Sequence, residues 1–196
     1  MEQKTLKYLR VLIPGFIILI GLLPLQEQTE NGITIVKSLN FNYMILLAVI
    51  IGAIYYQLNI QHIITRLSHY LIVKNINDQL INIHGKLKEN QKKIIWKEEI
   101  YLDVFYKIVD KDESLKIKGE NVRFNGIFWT SSADSFLISL VYFFLYYLNI
   151  LKLNNNKNEI VTFALIISIL SLILHIISVI KHIKLSNTQL KTIKNC

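Results

Sequence analysis

A chain of 196 residues that is 52% hydrophobic and only 18% charged, with a mean hydropathy of +0.37, is too apolar to hide its core behind a polar surface, which excludes an ordinary soluble domain. Its net charge of +8 falls in segments that flank the apolar runs, where it sets membrane orientation rather than forming a nucleic-acid patch. The single cysteine, Cys196, excludes an intrachain disulfide and a cysteine-rich metal site.

Apolar runs over 11–25, 43–58, 136–153 and 160–180 approach the roughly 17 to 25 residues that a helix needs to cross a bilayer. The first predicted helix covers about 8–25. Lys4, Lys7 and Arg10 precede it as in a secretory signal, but no small-residue cleavage site follows Leu23-Pro24-Leu25-Gln26-Glu27, so it is read as retained. The second covers about 41–58. It has no stop signal before His84-Gly85, and Ile60, Ile63, Ile64, Leu67, Leu71, Ile76, Leu80, Ile83 and Leu87 continue at helical spacing, so it is expected to run on past the membrane. A further helix is predicted over about 91–109, with Ile94, Ile95, Tyr101, Leu102, Phe105, Ile108 and Val109 on one side. Alternation on both arms of Gly119-Glu120-Asn121 predicts a hairpin over 115–124. Transmembrane helices three and four are expected over about 135–153 and 160–181, with a tail over 182–196. The expected fold class is an all-α membrane protein: four transmembrane helices, a mainly helical cytoplasmic segment over 59–133, and a small β-hairpin.

Lys and Arg are plentiful before the first run, between runs two and three, and after run four, and sparse in the other two connections. The positive-inside rule therefore puts both termini and the 59–133 segment in the cytoplasm, which for a bacterium means an inner-membrane protein.

The polar residues inside the runs share a rhythm. Ala164, Ser168, Ser171, His175, Ser178 and His182 are spaced 4, 3, 4, 3 and 4 apart; Ser135, Ser139, Tyr142, Tyr146 and Asn149 follow the same rhythm, as do Ala48, Gly52, Tyr55, Asn59, His62, Arg66 and His69. A period of 3.5 belongs to left-handed packed helices. Small and hydroxyl-bearing residues then allow close approach and interhelical hydrogen bonds. The competing reading has Gly52, Asn59, Ser135, Ser139, Tyr142, Asn149, Ser168, Ser171, His175 and Ser178 lining a water-filled path through an oligomer, where His and Asn are tolerated. His175 is read either as a hydrogen-bonded structural residue or as a proton sensor. Asp134 is read as the N-terminal cap of helix three.

Candidate partner-docking residues are His62, Arg66 and His69 on the extended helix, with Trp96, Tyr101, Phe105 and Arg123 beyond it. His62 and His69 could contribute metal ligands only with help from Glu98, Glu99 or Asp103; a solvated cationic face is the simpler account. Asp110, Asp112 and Glu113 lack the glycine and distal glutamate of a calcium loop. With no phosphate loop and no His-Glu-x-x-His, neither enzymatic activity nor a cofactor is expected. The mixed charge of 86–123 suits a protein surface better than DNA.

In size, number of spans and position of the cytoplasmic segment, the chain resembles the membrane subunits of the Kiwa antiphage defence system, the KwaA family, and is also similar to four-span accessory proteins found beside an RNA-targeting CRISPR nuclease. The chain is expected to self-associate and to present a cytoplasmic scaffold; the Kiwa resemblance implies a sensor that detects phage attack at the inner membrane and relays it to a cytosolic DNA-binding effector of the KwaB kind. The alternative is an effector pore that permeabilises the membrane on activation.

Overall fold

The computed structural model describes residues 3–24, 41–60, 62–84, 100–152 and 157–194. Every regular element among them is a helix: α1 (Gln3–Leu22), α2 (Phe41–Gln57), α3 (His62–His84), α4 (Ile100–Lys111), α5 (Glu113–Tyr147) and α6 (Lys157–Lys194). Three of these, α1, α5 and α6, are long and apolar enough to cross a membrane, and α2 with its continuation after a break makes a fourth if the two form one span. The residues group into two compact units, 1–64 with 127–175 and 65–126 with 176–196.

The first unit is held by a close crossing of α1 and α2. A Cβ on Gly15 would collide with the carbonyl oxygen of Ala48, and one on Gly52 with that of Val11. Only small residues permit such backbone contact, and where the surroundings are as apolar as the side chains, packing of this kind supplies much of the association energy. Pro14, fully buried beside Gly15, is accommodated within α1. Against this pair lies a cluster of Tyr55, Ile138, Tyr142 and Tyr146, with Ile17, Ile18 and Leu22 packed on it. The outer faces are Ile, Leu and Phe: Phe163, Ile166, Ile169, Leu170, Ile173 and Leu174 of α6 are all exposed.

The second unit has a mixed core. Ile72, Val73, Ile76 and Leu80 of α3 are buried, as are Leu102, Phe105 and Val109 of α4, Leu115 and Val122 of α5, and Leu190 of α6. Polar side chains share that interior. Asn125 Nδ2 donates to the Ser178 carbonyl at 2.8 Å, and the Asn75 and Gln79 amides both donate to Asn187 Oδ1 at 2.6 Å. Such bonds specify how helices seat against one another as well as stabilising them.

Three expectations are corrected. The 115–124 segment is helix, not hairpin. Leu115, Gly119, Val122 and Asn125 are buried at spacings of four, three and three, so the apparent two-residue alternation conceals a helical stripe. Gly119 is not a turn residue but a point of close approach, where a Cβ would come within 3.2 Å of Val109 Cγ1 and 3.4 Å of Gln189 Nε2. The start of this helix is instead marked by Asp112, whose Oδ1 accepts the Leu115 amide at 2.9 Å as an N-cap does. Helix two does not run unbroken to His84. It stops at Gln57, and Asn59 takes a φ of 51°, a left-handed conformation that asparagine tolerates better than most residues. Helix three ends at Tyr147, not 153, with Asn149 at a φ of 55° and the Leu151 amide bonded back to the Leu145 carbonyl at 3.1 Å. The expected 91–109 helix is seen from Ile100; its earlier part, with Trp96, lies outside the described residues.

His182, just beyond the apolar part of α6, is buried. That burial, reinforced by the charge of nearby His69, lowers its pKa from 6.5 to about 4. The unfolded chain therefore takes up a proton here that the folded one refuses. The resulting stability is present above pH 6.5 and is lost as the pH falls from about 6.5 towards 4. Thermal unfolding followed across that window should show a falling midpoint, with a shallower slope in His182→Gln; equal slopes in the two proteins would contradict this.

Candidate functional site

The feature that sets the interior of the first unit apart is a belt of hydroxyls on α5. Each is bonded to its own helix a turn back: Thr130 to the Ile127 carbonyl at 3.1 Å, Ser132 to Trp129 at 3.1 Å, Ser135 to Ser131 at 2.8 Å and Ser139 to Ser135 at 2.6 Å. Back-bonding of this kind satisfies a hydroxyl without a partner helix. The tyrosines do reach across. Tyr142 donates to the Ile18 carbonyl at 2.8 Å and Tyr146 to that of Gly21, and a side chain on Gly21 would occupy the Tyr142 ring.

Asp134 sits in this belt, 2% exposed, and one of its oxygens accepts the Tyr55 hydroxyl at 2.9 Å. It is twenty-one residues into α5 by position, so it is not the cap expected from the sequence. A carboxyl inside an apolar helix is expensive and normally faces protein. Here the phenol of α2 supplies a donor, and the pair ties α2 to α5 deep in the first unit. On α6, His175 is buried and its Nδ1 lies 3.0 Å from the Trp129 carbonyl. A carbonyl can only accept, so Nδ1 carries a proton. The Trp129 oxygen thus serves both Ser132 and His175, one for each lone pair.

Of the candidate packing or pore-lining residues, Gly52, Ser139, Tyr142, Ser168, Ser171, His175 and Ser178 are buried within one copy of the chain, and Ser135 is half-buried. Asn59 and Asn149 are exposed in the left-handed turns that end helices; the Asn149 amide oxygen accepts the Lys157 ammonium. Neither side chain packs inside a single copy of the chain.

Of the docking candidates, His62, Arg66 and His69 are exposed on α3. Phe105 is not a surface residue: it is 1% exposed because the apolar side of α4 turns inward. Arg123 is bonded to Asp110 at 2.7 Å. Tyr101 lies on α4, but its side chain, like Trp96, is outside the described residues. Among the described residues no group of three His, Cys, Asp or Glu is placed to hold a metal ion.

Several residues that build this site had weak sequence signals. Gly15 and Gly21 fall in a run that reads simply as apolar. Tyr55 and Tyr146 belong to the polar rhythm, but spacing alone does not reveal which carbonyl or carboxyl each would meet. No family model, curated protein or solved structure matches the chain.

Proposed function

We propose that the chain is a four-span membrane protein, with both termini and the 65–126 and 182–196 parts of the second unit in the cytoplasm. There it works without catalysis as an oligomeric sensor and scaffold that recruits or regulates a cytosolic effector protein. A role in prokaryotic antiviral defence at the inner membrane, of the kind the Kiwa resemblance implies, is the setting that fits best. The reading rests on one observation: α5 and α6 each contribute residues to both units. A unit with a mixed apolar and polar core that shares two unbroken helices with the apolar one suits relay between membrane and cytosol. Exposed Arg66, Lys74, Lys116 and Glu120 give the second unit a mixed-charge surface, which suits a protein partner.

The test is co-purification of the full chain with the product of a neighbouring gene, combined with phage plating on cells carrying both genes. Paired Arg66→Glu and Lys74→Glu substitutions should lower recovery of the partner about tenfold or more, and lower protection with it, while membrane insertion is unchanged, since loss of close charge pairs at an interface costs about 1.5 kcal/mol or more. Unaltered recovery would reject this surface. Depolarisation of cells expressing the chain alone would replace the scaffold by the pore.

A further inference from the structure

Between α1, α5 and α6 the first unit contains a cleft of about 290 Å³. On α6 it runs from Glu159 to Ile167, about 12 Å at 1.5 Å per residue. Water is a poor occupant. The volume would take about ten waters at roughly 30 Å³ each, and every buried water needs two to four polar partners. Yet the wall's hydroxyls have no proton left to offer: Tyr142 and Tyr146 donate to α1 carbonyls and Ser139 donates to Ser135, so a water there finds only acceptors. Apart from these and Glu159, the wall's side chains are hydrocarbon. Ile20 and Phe163, both on the rim and 56% and 62% exposed, make it continuous with the outward apolar face of the same helices.

One end differs. Glu159, in the first turn of α6, lines the cleft together with Tyr146 and Pro24. Its cationic neighbour Lys157 is drawn the other way, to Asn149 Oδ1 and to the Tyr147 carbonyl at 3.3 Å. Among the described residues, a carboxylate is thus the one charged group lining an apolar slot.

From this we infer that the cleft binds one phospholipid, its acyl chain in the slot and a primary-amine headgroup on Glu159, so that phosphatidylethanolamine is selected over phosphatidylglycerol. The amine presents an ammonium with three donors to the carboxylate, whereas phosphatidylglycerol offers no cation and brings a net negative charge towards it. The inference rests on the membrane reading of these helices and is independent of any role in defence.

Native mass spectrometry of the full chain released from micelles containing equal phosphatidylethanolamine and phosphatidylglycerol provides the test. The natural protein should retain one lipid per chain, with phosphatidylethanolamine favoured about fivefold or more. Glu159→Gln, a change at an exposed side chain, should abolish the preference. Ala164→Phe, which fills the slot, should reduce retention of both lipids. Equal retention of the two lipids by the natural protein would overturn the inference, as would a preference that survives Glu159→Gln, or a chain paired with a second copy and carrying no lipid. Cysteine labelling of the same variants reports insertion separately, so a failed membrane reading is distinguishable from a failed lipid site.

Discussion

Gly52→Leu is expected to disrupt the first unit, while Ala53→Leu, one residue away, is expected to leave it intact. The two substitutions add similar apolar bulk to one helix. Ala53 is exposed, but a Cβ at position 52 would run into the Val11 carbonyl and towards the Gly15 amide. Overpacking typically costs about 1–3 kcal/mol where side chains can yield. Here the obstacle is backbone on a facing helix, so the loss should reach or exceed the top of that range. Purified in mild detergent, Gly52→Leu should lose its monodisperse elution peak and unfold at lower temperature or lower added SDS. If it matches Ala53→Leu, the α1–α2 crossing does not hold the unit together.

The second large effect concerns the Tyr55–Asp134 bond. Tyr55→Phe removes the donor from a carboxyl that is 2% exposed, and leaving a buried polar group unsatisfied costs about 1–3 kcal/mol. Asp134→Leu strands the phenol and should cost a comparable amount. Asp134→Asn keeps an oxygen acceptor at the same place and should be the mildest of the three. The double variant Tyr55→Phe with Asp134→Leu should lose less than the sum of the singles, by about 0.5–3 kcal/mol, as for residues in direct contact. Strict additivity in SDS unfolding would show that the bond contributes nothing to stability.

What could be read from the sequence followed from helical periodicity. Ala164, Ser168, Ser171, His175, Ser178 and His182 share one face of α6 and all are buried, because a stripe of small and polar residues in an apolar helix has few places to go except against protein. The same spacing misleads on α3. There Ile63, Leu67, Tyr70 and Leu71 are exposed while Thr65, Ser68 and Asn77 are buried; next to a membrane, an apolar side chain need not turn inward, so periodicity identifies a face without saying which way it points.

The hairpin expectation failed for a related reason. Leu115-Lys116-Ile117-Lys118 alternates as a strand would, and only the recurrence of buried positions through Val122 and Asn125 distinguishes the helix. Asp134 reads as a cap because it stands immediately before the third expected span, over 135–153. In the structure Thr130, Ser132 and Ser135 bond to carbonyls of their own helix, which runs unbroken from Glu113 to Tyr147. The stops at Asn59 and Asn149 depend on single left-handed residues, and asparagine is too common in this chain for that signal to stand out.

The proposed scaffold requires α1, α2, α5 and α6 to cross a membrane with 65–126 and 182–196 on the cytoplasmic side. Single cysteines placed in a Cys196→Ser background, at exposed Lys111 and at exposed Asn149, test it most directly with a membrane-impermeant maleimide. Intact cells should label Asn149→Cys and spare Lys111→Cys until the membrane is opened. Labelling of Lys111→Cys in intact cells, or protection of Asn149→Cys, would contradict it.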